Sequence, residues 1–203
     1  MSARDIARSV DSAAIRGFVP RILDHGLWSP LWNIDKFQDR KDRVLKAGRD
    51  GVAVAEIRRQ WPDLFKDRLV FPGNLLLNEG INELWSLVTG TGGVKFDSGN
   101  AYIGVGDDAT AAGASDTKLK AETNVTDFLY KAMDGGYPTY GSSQKATWRS
   151  TFGSADMNDI WAEITVANGD EGANHDNLNR KVQAMGTKAS GSTWIATLEI
   201  TLS

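Results

Sequence analysis

The chain of 203 residues, with 41% hydrophobic and 24% charged side chains, can bury the core of one globular domain, which excludes an intrinsically disordered protein. The absence of cysteine excludes disulfides, and two histidines are too few for an ordinary zinc site, so we expect no metal and no cofactor. The net charge of −3 is unevenly divided, because residues 1–68 hold 14 basic and 10 acidic side chains whereas residues 69–203 hold 9 and 16.

Residues 2–16 have the pattern of a short amphipathic helix and not of an export signal. Ile6, Val10 and Ala13 recur at helical spacing. Arg4 and Arg8 lie where a signal peptide needs an apolar core, and no later run is long enough to span a bilayer. The protein is therefore expected to be made in the cytoplasm and to have no membrane partner.

Residues 17–37 lose this periodicity but keep bulky apolar side chains between Pro20, Gly26 and Pro30. A flexible linker would be poor in aromatic residues, so this segment is expected to lie along a surface that buries its tryptophans. That surface is either a neighbouring subunit or the chain's own domain. The candidate partner-binding residues of this arm are Phe18, Leu27, Trp28, Leu31, Trp32 and Phe37.

Two helices are predicted next along the chain. In the first, Val54, Ile57 and Trp61 share one face, Asp50 is the expected cap and Pro62 ends the helix. The second runs from about residue 74 to residue 88 and ends at Gly90, a suitable carboxy-terminal cap. Its predicted core-facing stripe consists of Leu77, Ile81, Leu84, Trp85 and Val88.

Alternating apolar residues then predict strands at 101–105, 125–133, 146–152, 160–166, 180–185 and 194–202. A turn rich in Gly, Ser, Asp and Asn separates the third strand from the fourth and predicts a β-hairpin. The expected fold is mainly β with a few helices, an antiparallel β-sandwich or small barrel. We expect an amino-terminal arm with short helices, residues 1–68, and a β-rich body with one leading helix, residues 69–203.

No catalytic motif is recognisable in the sequence. The stretch 89–95 resembles a phosphate-binding loop, but the spacing is wrong and no Ser or Thr follows Lys95. The acidic stretch 168–176 lacks the spacing of an EF-hand, which favours a solvated loop over a calcium site. His175 is the body's only histidine, and no spacing singles out a pair among Asp107, Asp108, Glu163 and Asp170 for glycoside hydrolysis. We therefore expect a protein that is not an enzyme.

The sequence also bears on two kinds of ligand, a sugar and nucleic acid. Seven tryptophans could offer a sugar-stacking surface, but Trp85, Trp148 and Trp194 lie on apolar stripes and are predicted to be core residues. The basic residues of the arm could bind nucleic acid, but aspartates such as Asp39 and Asp42 alternate with them, which argues against that partner.

A series of motifs occurs in order from residue 74 onward. They are Asn78-Glu-Gly-Ile-Asn82, Ala101-Tyr-Ile-Gly-Val-Gly-Asp-Asp108, the loop 109–119, Trp161-Ala-Glu-Ile164, Asn179-Arg-Lys-Val182, Gly186-Thr-Lys188 and Trp194. This order resembles that of tailed-bacteriophage virion proteins, small β-rich structural components of heads and tails. The resemblance covers about 130 residues. It does not extend to the residues before about Arg68, and it implies no active-site residues.

The resemblance implies a noncatalytic structural component of the virion, whose partners are capsid or tail subunits and copies of itself. The arm favours a capsid decoration or cement protein, because such a subunit gains affinity by laying an extended segment over its neighbours. A tail, baseplate or fibre protein is the first alternative. The alternative of another class is a carbohydrate-binding module for host-surface recognition, which would need a concave site.

Overall fold

A computed structural model describes residues 28–141, 143–171 and 175–203. The strands are β1 Trp28–Gln38, β2 Phe65–Pro72, β3 Leu75–Leu76, β4 Tyr102–Gly106, β5 Phe128–Ala132, β6 Thr139–Gly141, β7 Lys145–Phe152, β8 Ile160–Ala167, β9 Asn179–Thr187 and β10 Ser192–Leu202. The helices are α1 Arg43–Arg49, α2 Val54–Gln60, α3 Asn78–Thr89 and α4 Lys120–Asn124, with a 3₁₀ turn at Pro62–Leu64.

The strands form two five-stranded antiparallel sheets. The first sheet has the order β2-β1-β10-β7-β6, and the second has the order β3-β9-β8-β4-β5. Inward-facing side chains of both sheets share one core, in which the ring of Trp161 lies 4.7 Å from that of Phe152 and 4.8 Å from that of Trp194. The prediction of a mainly β, antiparallel sandwich with few helices is confirmed.

Helices α1 and α2 cover the outer face of the first sheet. Phe37 and Ile195 point outward from β1 and β10 and pack with Val44, Ala47 and Ile57 in a second apolar cluster. Residues on both faces of β1 and β10 are therefore buried. None of the helices in the described part of the chain has the length and apolar character needed to cross a membrane.

The predicted arm is wrong for residues 28–38, because they form the inner strand β1. This strand pairs with β10 on one side, from Trp28↔Leu202 to Gln38↔Ser192, and with β2 on the other. The expected domain boundary after residue 68 falls inside β2, so residues 28–68 belong to the same folded unit as the body. Pro30 and the charged pair Asp35-Lys36 had obscured the alternation of a strand.

The predicted hairpin is also wrong, although both of its strands exist. Strand β7 pairs with β6 and β10, whereas β8 pairs with β4 and β9, so the two strands lie in opposite sheets. Residues 153–159 connect one sheet to the other. The buried Lys188 ammonium donates hydrogen bonds to the Gly153 carbonyl oxygen (2.6 Å) and to Asn158 Oδ1 (2.9 Å), which holds this connection in place.

The helices differ from the prediction in their capping and their exposed faces. Gly90 caps α3 with a left-handed conformation (φ 71°), as expected. Asp50 does not begin a helix, since it follows the last residue of α1 and α2 begins after Ala53. Leu77, the residue before α3, is buried, but Trp85 and Val88 on α3 are 62% and 75% exposed, so the predicted core-facing stripe is wrong for these two residues.

Candidate interaction surface

The six candidate arm residues do not form one docking surface. Phe18 and Leu27, like the predicted helix at residues 2–16, lie outside the described residues. Trp32 and Phe37 are buried within their own domain, at 0% and 1% exposure, on opposite faces of β1. The half-buried Trp28 and Leu31 also point to opposite faces of the strand. The hypothesis that Trp32 and Phe37 bind a neighbouring subunit is therefore wrong, because their side chains are already covered.

An apolar groove lies at the end of the sandwich where β1 begins and β10 ends. We call it the end groove, and its volume is about 320 Å³. Trp28 stands at its rim, where its indole N–H donates a 2.9 Å hydrogen bond to Asn74 Oδ1. Two further rim residues, Tyr140 and Leu202, are 93% and 53% exposed. The residues that define the end groove are Trp28, Leu84, Tyr140, Trp148, Ile200 and Leu202.

A second exposed apolar feature lies on α3. Trp85 and Val88 are three residues apart and therefore neighbours on the helix surface, and we call them the α3 stripe. Val88 lies one turn after Leu84, which lines the end groove. Exposed tryptophans are frequent anchors of protein contacts, because a large ring that loses its water contributes strongly to binding. The α3 stripe is thus the best described candidate for contact with another protein.

Three of the motifs behind the virion resemblance, namely the loop 109–119, Trp161–Ile164 and Asn179–Val182, meet in one buried ionic network. The guanidinium of Arg180, fully buried in β9, donates hydrogen bonds to Glu163 Oε2 of β8 (2.5 Å) and to Asp116 Oδ2 of the loop 109–119 (3.0 Å). Glu163 also accepts the backbone N–H groups of Lys120 and Ala121, which begin α4. The network joins two strands, the loop and the helix, so its role is structural.

Hydrogen bonds and neighbouring charges lower the pKa of Asp116, one acidic member of this network. Burial acts to raise the pKa of Asp116, but the Gly113 amide, the Lys120 ammonium and Arg180 outweigh it and hold that pKa below its usual value. Glycines in the same motifs permit close packing: a Cβ on Gly80 would lie 2.5 Å from the carbonyl oxygen of Leu178. These motifs therefore contribute to the packing and hydrogen bonding of the fold.

Glu79, on the first turn of α3, is the described acid whose pKa is raised most clearly. Its carboxylate accepts the backbone N–H of Asn177 at 2.6 Å. Burial raises the pKa of Glu79 to about 7, and the carboxylates of Asp176 and Asp116 add to the shift, while the hydrogen bond from Asn177 opposes it. The ionised form of Glu79 consequently weakens the folded state at neutral pH.

We expect Glu79→Gln to raise the free energy of unfolding by about 1 kcal/mol at pH 8, less than a fully buried group would give because Glu79 is half-buried. The folded state holds the Glu79 proton more tightly than the unfolded chain between pH 4.5 and 7, so the wild-type protein loses stability as the pH rises through this window. Urea denaturation at pH 5 and pH 8 should therefore show a larger gain at pH 8. Glu171→Gln, at an exposed position, is the matched control. An equal gain for Glu79→Gln at both pH values would contradict this account.

Within residues 28–141, 143–171 and 175–203, no three His, Asp or Glu side chains are grouped so as to hold a metal. His175 is buried, its ring 5.0 Å from that of Tyr130 and its Nε2 3.8 Å from the Glu122 carboxylate. The predicted loop 168–176 is only partly described, since residues 172–174 lie outside the described ranges.

Apart from Trp28, which is one of the six candidate arm residues, the residues of the end groove and the α3 stripe were not predicted as sites. Trp148 was correctly predicted as core and is 9% exposed, but Tyr140 and Leu202 gave no local signal, because their exposure depends on where the sheets end. The sequence signal for Trp85 was misleading, since a helical stripe does not indicate which of its flanks remains uncovered. Comparison of the chain with models of protein families, with curated proteins and with solved structures finds no match.

Proposed function

We propose that this protein is a noncatalytic structural subunit of a bacteriophage virion, with a capsid decoration or cement protein as the first assignment. The α3 stripe is the observation that supports this proposal most directly. Trp85 and Val88 expose apolar surface on a regular helix whose first turn is part of the virion-like motif Asn78–Asn82. Such a surface is better suited to a protein contact than to water.

The buried ionic network gives a second line of support. Arg180, Glu163 and Asp116 come from separate motifs of the resemblance and are all engaged with one another or with backbone groups. Buried ion pairs and hydrogen bonds of this kind stabilise a structural subunit. An active site, in contrast, needs charged groups that can reach a substrate. This supports a function carried by the surface of the sandwich, and we propose that the protein is located in the virion.

The alternatives differ in what they require of the chain. A tail, baseplate or fibre component would use the same α3 stripe in another part of the particle. A carbohydrate-binding module would need exposed aromatic faces, but Trp32, Trp148, Trp161 and Trp194 are buried. The sugar-binding alternative thus loses most of the aromatic surface that favoured it.

The test is to quantify the protein by mass spectrometry in purified particles, with heads and tails separated. Wild-type protein is expected in the head fraction, and finding it in the tail fraction would select the first alternative. Absence from both fractions would overturn the virion proposal. We further expect Trp85→Ala combined with Val88→Ala to reduce incorporation at least tenfold without lowering the melting temperature, because both side chains are exposed.

The matched control is Ile160→Ala, which removes a 51% exposed apolar side chain from the first residue of β8. It should leave incorporation unchanged. An equal loss with Ile160→Ala would mean that the effect is not specific to the α3 stripe, and full incorporation of the double variant would remove α3 from the interface.

A further inference from the structure

We infer that the end groove is an intramolecular docking site and that its occupant is the amino-terminal segment of the same chain, residues 1–27. This contact is independent of whether the protein belongs to a virion. It concerns a surface other than the α3 stripe. The inference rests on the character of the groove, on the place where residues 1–27 join the fold, and on their composition.

The end groove is apolar and unoccupied by any described residue. Two indole rings, those of Trp28 and Trp148, line it together with Ile200, while Tyr140, which is 93% exposed, and Leu202, which is 53% exposed, stand at its rim. The indole N–H of Trp148 is already satisfied by the Phe96 carbonyl oxygen at 3.1 Å, so this ring offers only apolar contact to an occupant. Covering such a surface removes apolar area from water and is favourable.

The first described residue of the chain lies at the groove. This residue, Trp28, directly follows residues 1–27, and it is fixed by its hydrogen bond to Asn74 and by its pairing with Leu202. Gly26 lies two residues before Trp28, where a glycine permits the chain to reverse direction. A segment tethered this closely has an effective concentration in the millimolar range, so it competes well against any free partner.

The composition of the segment matches an apolar groove. Ile6, Val10 and Ala13 recur at helical spacing, and an amphipathic helix that lays its apolar face into a groove is a common mode of recognition. Phe18, Ile22 and Leu23 lie between this stretch and the fold. With four basic and three acidic side chains, residues 1–27 have almost no net charge that would oppose docking on apolar surface.

The experiment uses the full chain, whose lack of cysteine allows a single spin label at any introduced thiol. Ser143→Cys places a nitroxide on the exposed turn between β6 and β7, next to the end groove. Arg59→Cys places the control label on exposed α2, beside Phe65 and thus toward the opposite end of β1. Paramagnetic broadening of the amide resonances of residues 1–27 is then measured in isotopically labelled protein.

We expect the label at residue 143 to remove most amide signals of residues 1–27 and the label at residue 59 to leave them. Tyr140→Ser combined with Leu202→Ser should restore the lost signals, because it removes the apolar rim while both positions are exposed. A mixture of spin-labelled unenriched chains with isotopically enriched unlabelled chains should show no broadening. Broadening in that mixture would make the occupant a neighbouring copy and overturn the inference. Signals unaffected by the label at residue 143, or lost equally with both labels, would also overturn it.

Discussion

Replacing Trp32 by alanine is expected to lower the free energy of unfolding by about 3–5 kcal/mol, the usual cost of removing a large aromatic side chain from a core. Trp32 is fully buried in β1, in the cluster that also contains Phe71 and Trp194. The measurement is chemical denaturation followed by circular dichroism. Trp85→Ala is the matched control, because this tryptophan is 62% exposed, and it should change stability by no more than about 0.5 kcal/mol.

A loss below about 1 kcal/mol for Trp32→Ala would place the residue outside the core and return it to the role of a docking residue.

Truncation of the chain before residue 69 should also prevent correct folding. A chain that begins at residue 69 lacks β1, and β10 then exposes the edge that normally pairs with residues 28–38. We therefore expect such a fragment to be unable to form the first sheet.

Removing the buried guanidinium of Arg149 is the second change with a large expected effect. Its Nε donates to Asp134 Oδ2 at 2.8 Å, and its two Nη atoms donate to the carbonyl oxygens of Gly48 and Val52 at 2.8 and 2.9 Å. Burial raises the pKa of Asp134, and Arg149 opposes this shift. Arg149→Met leaves the carboxylate buried without its counter-ion, so we expect a loss of about 3–5 kcal/mol.

Lys145→Met provides the control on the same strand, because the Lys145–Glu199 pair is partly exposed (3.2 Å) and should contribute less than about 1 kcal/mol. Adding Asp134→Asn to Arg149→Met should recover part of the loss, since it removes the uncompensated charge while an amide oxygen can still accept from Thr151. If Arg149→Met were no more destabilising than Lys145→Met, the ion pair would not hold α1 against the sheet.

The sequence predicts strands better than it predicts their partners. Alternation identified β7, β8 and β10 because each has apolar residues at a period of two. It gave no information on pairing, since a turn such as 153–159 can join neighbours in one sheet or carry the chain across a sandwich. Residues 28–34 also alternate, with apolar side chains at Trp28, Trp32 and Ile34, but Pro30 and the charged pair that follows make β1 hard to recognise from the sequence.

The end groove and the α3 stripe were harder to predict than the strands, because the exposure of their residues depends on the tertiary fold. Tyr140 and Trp85 are aromatic residues in regular elements, which the sequence pattern associates with burial. Their exposure depends on which neighbours the tertiary fold brings over them, and α3 has partners on only part of its circumference. The ionic network could not be predicted from the sequence either. Its members Asp116, Glu163 and Arg180 are far apart in the sequence and meet only when the sheets have formed.

Native-state hydrogen exchange of the full chain measures directly whether the folded unit begins at β1, which would leave only residues 1–27 as a possible docking arm. Trp32 and Ile34 of β1 lie opposite Leu198 and Ala196 of β10, and their amide N–H groups point away from this shared ladder, toward β2 and β7 respectively. We predict that all four exchange only through global unfolding, with the same free energy of opening. Fast exchange at Trp32 and Ile34 beside full protection at Ala196 and Leu198 would contradict this, because it would show that residues 28–38 detach as an arm while the rest of the sandwich stays folded.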